Sequence, residues 1–241
     1  MFDLTPLLDL LEWISGTEVL FARGDATFLA QTLRLHIEKD PNPKISDLAN
    51  KLKFFSKALC YSRPIEVMSC AEELSSLLSS CNSESLLRPF LAILEQIKKD
   101  ISELAHRNPQ NLEHLNLLKQ TKIIEYCLRK GMIVQAITLS REWVVSYVCI
   151  RENIQEHWLE RDTREGIEKR LNTLVKDPES YPLIHDVRGI WGGLRELRNN
   201  IAHCGMSPSP VKISKIENKA NEIASSLKNL LPTLSSQHFQ R

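Results

Sequence analysis

The ten residues Leu194-Arg195-Glu196-Leu197-Arg198-Asn199-Asn200-Ile201-Ala202-His203 decide how this chain is read. At about 100° per residue, Ile190, Leu194, Leu197 and Ile201 fall on one narrow stripe, the edge that a helix turns toward a core. Arg195, Arg198, Asn199 and His203 share a broad arc roughly opposite, with His203 about 140° round from Arg198. The leucines anchor the helix while cations, an amide and an imidazole face outward. Gly192 lies on the same arc and, with Ala202, keeps that surface low enough for a second helix or a ligand to approach.

The same helical period recurs on both sides of this stretch, and strand-like alternation does not. Upstream, 176–182 is a loop, a helix capped by Thr163 runs to about Val175, and Glu152 to Arg164 is a polar, exposed excursion. Before that come a strongly apolar helix from about Val134 to Arg151, containing Trp143 and Val144, and one from Leu112 to Lys130 ended by Gly131. A helix from Ser85 to about Arg107 is expected to kink at Pro89 and stop at Asn108-Pro109. The amino-terminal portion predicts helices from Thr5-Pro6 to Gly24, from a cap at Asp25 to about Glu38, from Ser46-Asp47 past Leu59, and from Pro64 to a loop at 79–83. Asp40-Pro41-Asn42-Pro43 breaks the second from the third. After the opening stretch, Ser207-Pro208-Ser209-Pro210 leads into a last helix, about Val211 to Leu231. The expectation is an all-α bundle of about nine helices without significant sheet. It forms one domain over 1–234, with the key helix at about 186–204 and a mobile tail over 235–241.

With 31 basic and 30 acidic residues the net charge is +1. That excludes a global basic footprint for nucleic acid and leaves only a local patch to bind RNA. Hydrophobic residues make up 42% and charged residues 25% of the chain, enough for a good core. Six cysteines carry no CxxC and no metal-ligand spacing, which reads as reduced, buried thiols in a cytoplasmic protein without a metal site. No secretory signal is present, and Asp9 and Glu12 interrupt the apolar opening, so no membrane span is expected there.

The outward groups suit RNA strand cleavage. A group must move a proton near neutral pH, and imidazole does so. A planar cation must meet charge on the phosphoryl oxygens, and Arg does this bidentately. His203 and Arg198 are therefore the candidate catalytic pair, with Asn199 orienting one of them. A bland alternative is a capping His203 at the helix end beside Gly205. Arg195, on the same arc, and Arg141 are weaker candidates for RNA contact. Glu142 could orient Arg198 from a neighbouring helix, or form a structural ion pair with Arg141. Tyr181 and His185, just before the helix, could stack on or contact a base, but read mainly as loop packing and an N-terminal helical position. Trp143, Tyr147 and Trp191 read as core or interface. Gly192-Gly193 in mid-helix calls for a close partner helix, or for a helix that begins at Leu194.

Leu197-Arg198-Asn199-Asn200-Ile201-Ala202-His203 resembles the Arg-Asn-x-x-x-His signature of the HEPN superfamily of ribonucleases. Phe2-Asp3-Leu4-Thr5-Pro6-Leu7-Leu8-Asp9-Leu10-Leu11-Glu12-Trp13 resembles the start of the helical part of the CRISPR-associated HEPN effectors of type III systems. Arg141-Glu142-Trp143-Val144-Val145-Ser146-Tyr147 is similar to a central helix of that group. The resemblance implies a metal-independent endoribonuclease in antiviral defence, without cofactor, acting on single-stranded RNA and not on DNA. It implies a homodimer in which the two signature helices meet, and products ending in 2′,3′-cyclic phosphate. It carries catalysis to Arg198 and His203, with Asn199 as the polar second residue. The family's effectors also have a Rossmann-like CARF sensor domain, and no Gly-rich strand-to-helix turn occurs here to supply one. Two other readings stay open: an idle helical module that binds RNA or protein through the same face, and a toxin silenced by a partner.

Overall fold

The computed structural model describes residues 5–39, 42–80 and 88–235, and the expected tail 235–241 lies almost wholly outside them. Among the described residues there are ten α-helices, two short 3-10 turns and no strand, so the all-α expectation holds. The chain divides into two compact units, Met1–Asn108 and Pro109–Arg241.

The amino-terminal unit holds α1 (Thr5–Arg23), α2 (Thr27–Lys39), α3 (Pro43–Cys60), α4 (Pro64–Ser80) and α5 (Arg88–Ser102). Successive helices pack on one another, and α1 also meets α5. Gly16 makes the first of these crossings possible, because a Cβ there would lie 3.0 Å from the Leu29 Cα. The turn between α1 and α2 is fastened to α3 through Ser56, whose hydroxyl accepts from Ala26 N at 2.7 Å and donates to Gly24 O at 3.2 Å. Gly24 ends α1 with a left-handed φ of 71°. The third helix starts at Pro43, earlier than Ser46-Asp47. Asn42 accepts from Lys44 N at 3.0 Å, and proline at the first helical position loses no bond. The fifth helix stops at Ser102 rather than near Arg107, and turn residues follow it. The expected start of that helix at Ser85 and most of the 79–83 loop lie outside the described residues.

The carboxyl-terminal unit holds α6 (His114–Arg129), α7 (Ile133–Arg151), α8 (Arg161–Lys176), α9 (Arg188–Ala202) and α10 (Ile213–Ser235). The central helix is α7, which packs against the other four. It is long and apolar enough to cross a membrane by length and composition, but 61% of the relevant window is buried within the protein, as a core helix is. Trp143 donates its indole N–H to Leu117 O at 3.0 Å and stacks on Tyr147 with ring centroids 5.3 Å apart. The Tyr147 hydroxyl donates to Asp186 Oδ2 at 2.6 Å, and Arg151 donates to Tyr147 Oη at 3.0 Å and to Leu183 O at 2.8 Å. These bonds fix the turn Pro182–Val187 that feeds α9.

The polar excursion over Glu152 to Arg164 is corrected in one respect. Trp158 within it is buried, its indole N–H donating to Gln110 O at 2.9 Å, and α8 begins at Arg161 rather than Thr163. Local polarity hid a single apolar anchor. The cysteines also divide: Cys70, Cys127 and Cys149 are buried, whereas Cys60 and Cys204 are exposed. Burial pushes the thiols of Cys70 and Cys127 up to about 12 and that of Cys149 to about 11.

Candidate active site at the carboxyl end of α9

Trp191, Leu194 and Leu197 are the buried face of α9, while Ile190 and Ile201, expected on the same stripe, are half-buried at its edges. Trp191 is held on two sides. Its indole N–H donates to Asn172 Oδ1 at 3.1 Å, and the Arg141 guanidinium lies over its ring, 5.0 Å from the centroid. Arg141 also donates to Glu168 at 2.8 Å and to Glu142 at 2.9 Å, and Glu142 accepts from Arg164 at 2.6 Å. Burial pulls the Arg141 pKa down, but hydrogen bonding and charge from Glu168, with the charge of Glu142, more than offset it, so it sits above the ordinary value. Arg141, considered above as an RNA contact, thus has its donors turned toward protein carboxylates, and Glu142 holds arginines other than Arg198.

Both mid-helix glycines lie inside α9, which starts at Arg188, so the alternative of a start at Leu194 is set aside. A Cβ on Gly193 would lie 3.1 Å from Lys219 Cε, which marks the close passage of α10. A Cβ on Gly189 or Gly192 would meet nothing within 4 Å. These two leave a low, open surface along the outer line of the helix that continues through Glu196, Asn199 and His203.

The helix ends at His203, its carboxyl cap, whose backbone N–H bonds to Asn199 O at 3.0 Å. Cys204 and Gly205 then take left-handed φ values of 52° and 67°. Gly205 N donates to Asn200 O at 2.9 Å and Met206 N to His203 O at 2.8 Å, so the chain turns back across the helix end. The turn closes a shallow hollow of about 230 Å³ lined by Glu196, Asn199, Asn200, His203, Gly205, Met206, Ser207 and Val211. Two larger hollows run along α10, at about 570 and 430 Å³, and neither is lined by a residue of the signature. The chemistry, not the volume, singles out the smaller one.

The structure brings Asn199 and His203 together in this hollow and leaves Arg198 outside it. Arg198, Asn199 and His203 are exposed and Arg195 is half-buried. No side-chain hydrogen bond or ion pair within the described residues engages Arg195, Glu196, Arg198 or His203. Tyr181 and His185 sit at the preceding 3-10 turn and do not line the hollow. Glu196, Asn200 and the 205–211 turn are functional candidates that the sequence pattern alone does not single out. The helical spacing from Glu196 to Asn200 and His203 was a signal for the first two, whereas the return of the turn over the helix end was not visible in the spacing. No group of three or more His, Cys, Asp or Glu residues within the described residues is placed to hold a metal ion.

Residues 9–111 match the family model described as CRISPR-associated protein MJ1674, second domain. No curated protein matches the chain. The matched stretch is less than half of the chain, covers essentially the amino-terminal unit and stops short of α9. It overlaps the opening stretch that resembles CRISPR-associated effectors at Asp9–Trp13. The amino-terminal unit is therefore similar to a domain of a CRISPR-associated protein, and that match supports a CRISPR-related role for the chain.

Proposed function

We propose that this protein is a HEPN-type, metal-independent endoribonuclease that cleaves single-stranded RNA in CRISPR-associated antiviral defence, working in the cytoplasm as a homodimer through α9. The observation that carries the reading is the position of His203: exposed at the fixed end of α9, beside Asn199 in a hollow, with no side-chain partner within the described residues.

In this reading an imidazole takes the proton from a ribose 2′-OH, and the oxygen attacks the adjacent phosphorus. A second imidazole gives a proton to the departing 5′-oxygen, leaving a 2′,3′-cyclic phosphate. Arg198 meets the charge on the phosphoryl oxygens. One imidazole is poorly placed to act on opposite sides of an in-line displacement, so the reaction favours two copies of α9. The separation of Arg198 from the His203 hollow has the same implication, since a second copy could bring its own arginine to the rim beside His203, outside the hollow itself. The open surface at Gly189 and Gly192 offers the close approach such a pairing needs.

The test is cleavage of a fluorescent single-stranded RNA in EDTA by the native chain, His203→Ala and Arg198→Ala, with the product ends analysed. Loss in both variants and cyclic phosphate ends from the native chain support the proposal. An inert native chain, or variants that cut as well as the parent, leaves α9 as a binding face.

A further inference from the structure

The hollow at the end of α9 has a composition that the cleavage reaction alone does not require. Its lining includes a carboxylate, Glu196, two amides, Asn199 and Asn200, a hydroxyl, Ser207, and the His203 imidazole, together with Gly205, Met206 and Val211. No Lys or Arg lines it. It also lies where the last carbonyls of α9 put the negative end of the helix dipole. Both features repel a phosphate. The two arginines that would attract one, Arg195 and Arg198, lie on the flank of α9 outside the hollow. Cation and acceptor groups are thus sorted onto neighbouring strips of one helix.

We propose that this hollow is the pocket for a nucleobase next to the scissile phosphate, and that Glu196 makes it select guanine. The inference rests on the ribonuclease reading and deepens it. A volume of about 230 Å³ is below the range of drug-sized pockets and suits one small ring system. Sequence-specific RNA recognition works on bases splayed out of the stack and read along their Watson–Crick edges. A carboxylate only accepts hydrogen bonds. Guanine presents two adjacent donors on that edge, N1–H and the 2-amino group, which a carboxylate receives side by side. Adenine and cytosine set one amino donor beside a ring nitrogen acceptor, so the second carboxylate oxygen faces a lone pair. Uracil sets its single N–H between two carbonyls. Asn199 and Asn200 supply the N–H donors that the guanine O6 needs, and Met206 and Val211 offer apolar contact to the ring.

The turn Cys204–Met206 preorganises this pocket, because its backbone is bonded to Asn200 O and His203 O. Glu196 lies one helical turn before Asn200, on the same side of α9. Its carboxylate is exposed and has no side-chain partner within the described residues, so a base does not have to displace an internal salt bridge.

The experiment is cleavage of a single-stranded RNA library randomised around the cut, sequenced at both new ends, by the native chain, Glu196→Gln and Asn200→Ala. The expected native profile favours guanine at one fixed position beside the cut. Glu196→Gln, which replaces one acceptor with a donor, should reduce the guanine-to-adenine ratio at that position by roughly tenfold, the lower part of the range for a bidentate contact. Cleavage at adenine-containing sites should fall less than cleavage at guanine-containing sites. Asn200→Ala should weaken discrimination at the same position and leave other positions alone. Active variants that keep the native base profile, or a native profile without guanine preference, overturn the pocket and leave the ribonuclease reading standing. A native chain that cleaves nothing overturns the ribonuclease reading first. If Glu196→Gln is silent because it misfolds, circular dichroism reveals it, and the conservative Glu196→Asp variant, with a retracted carboxylate, must then show the loss of guanine preference.

Discussion

Removing Arg141 separates a structural role from a binding role. Its side chain is 20% exposed, that of Glu168 is 29% exposed, and the two approach to 2.6 Å. A fully exposed pair is worth about 0–1 kcal/mol and loss of one partner from a fully buried pair about 3–5 kcal/mol, so this half-buried bridge falls near 1–2 kcal/mol. The cation over the Trp191 ring adds roughly 0.5–1 kcal/mol. Arg141→Ala should therefore cost about 2 kcal/mol, a fall in midpoint temperature of roughly 6–10 °C for a unit of this size. Tryptophan emission is the suitable probe, because Trp143, Trp158 and Trp191 all lie in the carboxyl-terminal unit and only Trp13 lies outside it. Arg141→Lys should recover less than half the loss, since an ammonium cannot bond Glu142 and Glu168 as a fork while lying flat on the indole. In parallel, the salt dependence of single-stranded RNA binding should keep its slope in Arg141→Ala, whereas Arg198→Ala should lower it by about 0.7 for each phosphate that is no longer neutralised. An Arg141→Ala protein within about 0.5 kcal/mol of its parent, but with a reduced salt slope, would refute the reasoning and make Arg141 an RNA-binding residue.

Four further outcomes are expected. Gly192→Ala should raise the stability of the isolated chain by about 0.5–1 kcal/mol, because the helix gains a better former and its Cβ meets nothing, yet should weaken self-association in sedimentation if α9 faces a second copy. Trp158→Ala should cost about 3 kcal/mol in chemical denaturation, through reduced burial and an unpaired Gln110 carbonyl. Burial and the neighbouring Asp186 push the Tyr147 hydroxyl from 10.0 up to about 12, so the folded state holds that proton longer than the unfolded chain does. Its contribution is complete below pH 10 and is lost as pH rises toward 12, with the buried thiols adding to the decline from about pH 9; denaturation midpoints against pH should fall over that window and fall less in Tyr147→Phe. Mixing His203→Ala with Arg198→Ala should restore part of the missing cleavage if subunits exchange and the site is shared, and no recovery after confirmed exchange speaks against a shared site.

The helices were legible wherever one apolar stripe ran against a polar face, as in α9, where Leu194 and Leu197 are buried and Arg198, Asn199 and His203 exposed. Boundaries set by chemistry at the helix end were less so. Asn42 moved the start of α3 to Pro43, and Asp25, whose carboxylate accepts from Thr27 N at 2.8 Å, behaved as expected. Trp158 was hidden because one aromatic among charged residues has no period. At the site, the sequence identified the groups and their directions but not the company they keep. Arg141 is drawn inward by Glu168, a residue 27 positions along the chain, and no local pattern carries that information. The concave wall around His203 depends on a turn whose course comes from two successive left-handed residues.

That pair of left-handed residues gives the spacing of the signature a rotational meaning. Because Cys204 and Gly205 stop α9 at one fixed place, the direction of the imidazole is set by how many residues of helix precede it. One residue inserted between Asn199 and His203 would turn His203 by about 100° relative to the arginines and carry it off the outer line shared with Glu196 and Asn199. One residue deleted would swing it the other way. The interval from Arg198 to His203 therefore works as a phase angle between two chemical groups on one rod.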